Sequence, residues 1–317
     1  MTTETLDPRT VVVLGLGEAG SALARGLAAD SGWLTGNARR LVAVDIALGQ
    51  GARGEGMAAL ADRLGIAAHA DYGPWLDEAD LVMSVVTGEQ SLDAARSMAA
   101  HLRPGTLYLD LNTVTRAMAL DNAAVVEATG ARYVDVAVMG TFLGLGHRVP
   151  MLLAGPDAEN VAAWMTPLGF QPKVLGPVPG SASAVKILRS VLVKGIEALG
   201  VECLVAARAQ GLQEEVLACL ADIDLQPFRD FLATLVTTHL VHAGRRHEEM
   251  HLAARNLVET GVEPLMTERT AATLGRTVAA GVAPADGKVP PLDAVLEILA
   301  AGVPGLGAAR EPMPRER

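Results

Sequence analysis

Between residue 10 and about residue 173, short runs of β-branched and aliphatic residues alternate with Ala-rich stretches of helical composition. The apolar runs at 10–14, 41–45, 81–86, 106–111 and 132–136 predict buried strands, and 21–29, 54–64, 90–102 and 115–128 predict the helices between them. Pro104, Gly105 and Gly130 fall where those helices should stop. This βαβ rhythm belongs to a mostly parallel sheet whose right-handed crossovers cover both faces. Segments 149–154, 157–165 and 170–174 are expected to finish the sheet at one edge. At 177–180 the rhythm changes. Residues 181 to about 210 read as one long helix interrupted by Gly195 and Gly200, and 214–223, 227–241, 245–260 and 264–280 read as further helices with no period-2 strand among them.

Composition agrees with that division. At 317 residues the chain is longer than one core usually grows, which predicts two domains with a cleft between them: residues 1–178 as α/β and residues 179–317 as all-α, joined through the long helix. The tail 309–317 is expected to be disordered. Half the residues are hydrophobic but only 3% are aromatic, so the interior must be aliphatic, which favours α/β over a β-sandwich. The net charge of -10 argues against a nucleic-acid partner. Cys203 and Cys219 do not make a disulfide scaffold and fit a reducing compartment. The first ten residues lack the apolar core of a signal peptide, and no stretch reaches the ~20 apolar residues of a membrane span. The expectation is a soluble, cytoplasmic protein with no membrane partner.

The segment VVVLGLGEAGSALARGL carries the first candidate chemistry. It sets Gly15, Gly17 and Gly20 in G-x-G-x-x-G spacing directly after a strand and at the start of a helix. The first glycine permits a tight turn, the second a close approach by a pyrophosphate, and the third close packing of helix on strand, leaving the helix N-terminus to hold an anion. Leu16, Glu18 and Ala19 complete this expected cofactor loop. The second strand run ends in Asp45, placed to accept hydrogen bonds from the adenosine ribose hydroxyls. It lies beyond the usual separation of about 20 residues, and the polar insertion 31–40 accounts for the difference. The alternative for Asp45 is an ordinary cap or turn residue. These features predict a Rossmann-type, doubly wound NAD(P) domain. A carboxylate at 45 would repel a 2'-phosphate, and the following residues offer only Arg53 at a distance, so NAD is favoured, with NADP the second choice.

The pattern resembles, over nearly the whole chain, the β-hydroxyacid dehydrogenase and 6-phosphogluconate dehydrogenase superfamily. The segment LVMSVVTGEQSLDAA, with Val86 and Thr87, looks like the stretch that passes beneath the cofactor in that family. DLNTVT, with Asn112 and Thr113, is similar to the D-x-[SN]-T loop beside the nicotinamide ribose. YVDVAVMGT resembles the D-A-P-V-S-G-G substrate loop, which implies substrate contacts from Met139, Gly140 and Thr141. GSASAVKILRS resembles the G-x-x-x-x-x-K-x-x-x-N catalytic helix, which implies that Lys186 is the catalytic lysine. Ala137 replaces the loop proline, Met139 the serine and Thr141 the second glycine, while Ser190 stands where the asparagine would be, so the identity of the substrate does not carry over. The C-terminal region, HAGRRHEEMHLAARNLVETGVEP, looks closest to a poorly characterised branch with a divergent helical domain.

The same helix also has a reading independent of any family. Lys186, Arg189 and Ser190 share one face a turn apart, with Lys194 beneath them, on a helix otherwise small or aliphatic. Such a stripe faces either solvent or a cleft, and its position just after the domain junction favours the cleft. Hydride transfer needs a proton acceptor or donor at the substrate oxygen, and a lysine serves when burial and a neighbouring cation such as Arg189 make its uncharged form accessible. Ser190 is the expected hydrogen-bond partner of substrate and Arg189 a substrate-binding cation.

His239, His242, His247 and His251 crowd one helical region, with His247 and His251 at i, i+4, but no Cys or compact acidic cluster completes a metal site, so no metal is expected. Arg245 and Arg246 are placed either to bind an anionic group of the substrate or to pair with Glu248 or Glu249. By resemblance, the aliphatic C-terminal helices imply a homodimer. The leading expectation is hydride transfer between NAD and a small hydroxy- or oxo-acid. The rivals are an imine reductase, against which Lys186 argues, and a non-catalytic dinucleotide-binding protein, which Met139 and Ser190 keep open.

Overall fold

A computed structural model describes residues 6–34, 38–282, 284 and 288–307. The tail 309–317, expected from sequence to be disordered, lies outside these described residues. The chain divides into two compact units, Met1–Val191 and Leu192–Arg317. The sequence reading set a junction at 178/179, before the long helix, whereas this division falls within it.

The first unit holds an eight-stranded sheet of β1 (Thr10–Leu14), β2 (Arg40–Val44), β3 (Ala67–His69), β4 (Leu81–Ser84), β5 (Leu107–Asp110), β6 (Arg132–Val138), β7 (Pro150–Ala154) and β8 (Gln171–Gly176). Their order is β3-β2-β1-β4-β5-β6-β7-β8. All neighbours run parallel except β6 and β7, which pair antiparallel. Helices α1 (Glu18–Arg25), α2 (Gly51–Leu64), α3 (Ser91–Ala99), α4 (Arg116–Glu127) and α5 (Ala158–Met165) connect them. β1 shows why the sheet is covered on both faces. Val11 and Val13 enter one buried cluster with Leu23, Leu27 and Met57, and Val12 and Leu14 enter another with Met98, Tyr108 and Val126.

The expected strands are all present, with ends shifted by a few residues. β3 was not expected: it is a three-residue edge strand, Ala-Ala-His, too short and too weakly apolar to stand out as a run. α1 begins earlier than its apolar pattern suggested, because the extended backbone of Gly17 starts it at Glu18. It ends in a π-helical segment, Gly26–Asp30, where the ring of buried His147 occupies the space a Cβ on Gly26 would need.

The register aligns the strand ends that matter for function. Leu14 pairs with Ser84, Ser84 with Asp110, and Asp110 with Asp135, so one row across β1, β4, β5 and β6 carries three buried polar side chains, at the ends of β4 and β5 and in the middle of β6. The chain reverses its strand order between β1 and β4, the place where open α/β sheets leave a crevice for a ligand.

The long helix α6 (Ser181–Ala209) follows β8. The second unit consists of the remainder of α6 with α7 (Gln213–Cys219), α8 (Phe228–Thr237), α9 (His239–Glu259), α10 (Leu265–Ala279) and α11 (Leu292–Gly302); α11 was not anticipated. α10 is capped from a distance. Glu202 of α6 accepts the Thr267 backbone N–H at 3.1 Å and the Thr267 hydroxyl at 2.7 Å. Desolvation pushes the Glu202 carboxyl up, but these bonds and one from the Met266 N–H outweigh it and hold the group below its ordinary value. No helix among the described residues is long and apolar enough to cross a membrane.

Candidate functional site

The three glycines of the first loop prove to have different jobs. Gly15 has φ +93°, and a Cβ there would lie 2.7 Å from the Val85 carbonyl oxygen. A Cβ on Gly20 would lie 1.8 Å from the carbonyl oxygen of Gly15. Both are therefore demanded by the protein's own packing. A Cβ on Gly17 would meet only the Arg53 Nη2, at 3.9 Å. The fold does not need a glycine at 17, but a phosphate approaching the backbone does. No side chain caps α1, so its first-turn N–H groups remain available to an anion. These features fit the diphosphate of a dinucleotide. Leu16 contributes backbone alone, since its side chain is in the core, and the Glu18 side chain is exposed.

Asp45 is only 9% exposed. One carboxylate oxygen accepts the Leu16 N–H at 2.7 Å and the other the Ala47 N–H at 2.8 Å. It is thus a turn residue and also a brace on the glycine loop, and each oxygen keeps a lone pair for a further donor. Arg53, which the sequence left at a distance, is brought over Gly17 because α2 starts at Gly51.

Asp110 organises the next loop. It accepts hydrogen bonds from the Asn112 backbone N–H (3.0 Å), Asn112 Nδ2 (2.7 Å), Asn122 Nδ2 (2.8 Å) and the Tyr133 hydroxyl (2.8 Å). Burial pushes its pKa up, and these donors only partly offset that. Asn112 also donates to Ser84 Oγ at 3.0 Å and is itself buried, with Oδ1 lacking a hydrogen-bond partner among the described residues. Its amide therefore holds the loop that presents Thr113. Gly88 lets the preceding loop close on this one, since a Cβ there would lie 2.2 Å from the Thr113 carbonyl oxygen. The Thr87 hydroxyl turns away to donate to Gln90 Oε1 at 3.2 Å.

A cavity of about 170 Å³ brings the expected residues Ala19, Val86, Thr113, Gly140 and Lys186 together. Val85, Leu111, Val138 and Phe142 complete its walls. Phe142 escaped the sequence reading; one of four phenylalanines in the chain, just after an altered substrate loop, was the available signal. Met139 does not line this cavity and packs instead with Ala137, Ala154 and Ala182. Thr141 is exposed, its hydroxyl accepting the Leu143 N–H at 3.2 Å. Arg189 is exposed and Ser190 half-buried, and neither lines the cavity.

The start of α6 is fixed by Asp135. Its two oxygens accept the Ser183 hydroxyl at 2.6 Å and the Ser183 backbone N–H at 3.0 Å. Burial pushes the Asp135 carboxyl up, and the bonds from Ser183 pull it partly back.

Three of the four histidines singled out on α9, and both arginines, have local partners. His247 donates through Nδ1 to the Ala271 carbonyl at 2.9 Å and accepts from His251 at 3.2 Å. His239 is bonded to Thr277 Oγ1 at 2.9 Å, and burial together with Arg246 lowers its pKa. Arg245 pairs with Glu249, while Arg246 donates to the Leu235 carbonyl and the Thr238 hydroxyl. Among the described residues no three His, Cys, Asp or Glu side chains are grouped to hold a metal ion.

Comparison with known proteins gives two family matches. Residues 10–168 match the NAD binding domain of 6-phosphogluconate dehydrogenase, and residues 207–277 match a domain of unknown function, DUF1932. A conserved hypothetical protein from Sinorhizobium meliloti 1021 is 29% identical, covering 93% of this chain and 97% of that one with a TM-score of 0.57. L-Threonate dehydrogenase from Escherichia coli O6:H1 is 26% identical over 140 residues, 43% of this chain and 46% of that enzyme. Imine reductase from Myxococcus stipitatus, in complex with NADP+, shares the fold with a TM-score of 0.69 at 19% identity, over 86% of this chain and 95% of its own.

Proposed function

Because the chain belongs to the family of the 6-phosphogluconate dehydrogenase NAD binding domain, we propose that it is an NAD-dependent oxidoreductase acting on a small hydroxy- or oxo-acid, with Lys186 as general acid and base. The observation that carries this reading is the cavity in which Lys186 and Gly140 share walls with Ala19, Val86 and Thr113. The partial likeness to L-threonate dehydrogenase supports a hydroxy acid as the substrate class.

Gly17 and the open end of α1 would hold the diphosphate, with Arg53 alongside, and Asp45 would receive the ribose hydroxyls. A carboxylate at the ribose would repel a 2'-phosphate and so favours NAD over NADP, whereas Arg53 beside the diphosphate serves either cofactor. When bound, the nicotinamide supplies the hydride-transfer chemistry. The chain's own part is proton transfer and water exclusion. Lys186 takes the proton from the substrate hydroxyl in oxidation or returns one to the carbonyl oxygen in reduction, and as an ammonium it stabilises negative charge on that oxygen. Val85, Leu111, Val138 and Phe142 set apolar side chains in a lining that is polar over much of its surface, and beside them the interaction between ammonium and oxyanion is less screened than in water. Met139, Thr141, Arg189 and Ser190 have no part in this cavity, and the proposal does not use them.

The test is a panel of short-chain 3-hydroxy acids and L-threonate with NAD, set against cyclic imines with NADPH, followed by nicotinamide absorbance in the wild type and Lys186→Ala. The expected result is hydroxy-acid oxidation that falls on the order of 100-fold or more in Lys186→Ala with cofactor binding retained. Imine reduction that survives Lys186→Ala would select the imine reductase reading. Cofactor binding without turnover on any candidate would select a non-catalytic protein.

The protein is also proposed to work as a homodimer through its helical unit. α7 and α8 bury none of their residues, and Leu217, Phe228 and Leu235 are exposed on them. Light scattering after size exclusion tests this, and a monomeric mass at micromolar concentration would refute it.

A further inference from the structure

We infer that Asp135 and Ser183 form a latch that positions Lys186, tying the first turn of α6 to the strand that leads into the cavity lining at Val138 and Gly140. This rests on the reading of Lys186 given above and extends it to two buried residues outside the cavity lining.

Helix N-caps are ordinarily supplied by the residue at the helix start. Here the acceptor comes from 48 positions earlier in the chain, from the middle of β6. Both partners are buried, so the pair has no solvent-facing role. Burying a carboxyl group is costly unless its oxygens are well partnered. The hydroxyl and N–H of Ser183, at the positive end of a long helix, supply that partnership.

The geometry gives the pair its consequence. Ser183 and Lys186 are three residues apart on α6, so they lie on one face a turn apart. From Asp135 the chain runs to the end of β6 at Val138 and on to Gly140, and Val138 and Gly140 both line the cavity with Lys186. One carboxylate therefore links the helix that carries the lysine to the strand that supplies another part of the same cavity lining. A shift of about 1 Å at a reacting group can cost about 100-fold in rate. Gly180 adds to the constraint just before α6: it has φ +79°, and a Cβ there would lie 2.9 Å from Arg116 Cγ.

The experiment uses the full chain and reads Lys186 directly. The chain has four lysines, at 173, 186, 194 and 288. Reductive methylation with ¹³C-formaldehyde therefore gives a short spectrum in which the Lys186 signal is identified by its loss in Lys186→Arg. Ser183→Ala removes the hydroxyl bond and keeps the backbone one; Ser183→Thr keeps both donors. The expected result is that Ser183→Ala displaces or broadens the Lys186 signal, leaves the other three in place, retains the NAD-induced thermal shift, and lowers turnover about tenfold with little change in the KM for NAD. Ser183→Thr should return both the signal and the turnover.

An unmoved Lys186 signal in Ser183→Ala would overturn the inference even if Lys186→Ala is inactive. So would a displacement shared by all four lysines, which would mean general loosening. A displaced signal together with full turnover in Lys186→Ala would instead keep the latch and remove the catalytic role of the lysine. Asp135→Asn is the complementary variant, and the inference stands on Ser183→Ala if Asp135→Asn does not fold.

Discussion

The carbonyl oxygen of Gly15 occupies the place where a side chain on Gly20 would begin, 1.8 Å from the ideal Cβ position. The two glycines serve the fold, and Gly17 between them does not. Gly20→Ala is therefore expected to lower the melting temperature by several degrees or abolish folding, a cost of about 1–3 kcal/mol or more for overpacking. Gly17→Ala, at φ -68°, should melt within a degree or two of wild type yet lose most of its NAD-induced stabilisation. A full NAD shift in Gly17→Ala would remove the diphosphate from this loop.

Arg53 separates two ways of holding a cofactor. Placed over Gly17, it is expected to contact the diphosphate, which NAD and NADP share. Arg53→Ala should weaken both by the same factor, roughly tenfold to 100-fold for a charge-assisted bond. Calorimetric titration with the two cofactors checks this. A loss confined to NADP would move Arg53 to the 2'-phosphate and reverse the preference for NAD.

Asp45 is asked to do two things at once. Its oxygens hold Leu16 and Ala47 before any cofactor arrives, so Asp45→Ala should cost the cofactor-free protein about 1–3 kcal/mol in urea unfolding, the penalty of a buried donor left unpaired. A residue acting only on the ribose would leave that value unchanged.

Acid should affect the two units in opposite directions. Glu202 is held below its ordinary value, so its contribution is present above that value and is lost as pH falls through the folded pKa. Asp110 and Asp135 are pushed above theirs, so their contributions are present below the ordinary aspartate value and are lost as pH rises through the folded pKa. Melting followed from neutral pH down to about pH 2, through and below the ordinary glutamate range, should show the helical unit weakening relative to the sheet unit, and Glu202→Gln should flatten that decline. A decline unchanged in Glu202→Gln would put its cause elsewhere.

The pattern of apolar runs was enough to locate the sheet because strands buried on both faces have little freedom in composition. β3 escaped because an edge strand of Ala67, Ala68 and His69 needs no β-branched residue, and α11 because the Gly- and Pro-rich sequence before it hides a helix start. At the site, spacing identified Gly15, Gly17 and Gly20 but could not divide them into structural and functional, since that depends on what a Cβ would meet. Arg53 was underrated because its reach depends on where α2 begins. Met139 was expected at the substrate and Asn112 at the cofactor; packing turns the first toward three alanines, and Asp110 and Ser84 engage the amide of the second. The Asp135 and Ser183 pair left no local trace, since each residue is ordinary in its own segment.

The row formed by Ser84, Asp110 and Asp135 also bears on how such a chain can change over time. Side chains alternate between the two faces of a sheet, so inserting or deleting one residue within β4, β5 or β6 would move its polar group to the opposite face and bring an aliphatic neighbour into its place. Substitutions in the loops beyond that row leave the alignment intact. Lineages sharing this arrangement should therefore differ freely in loop length beyond the strands while keeping the spacing inside them fixed, with new specificities arising by exchange of loop residues.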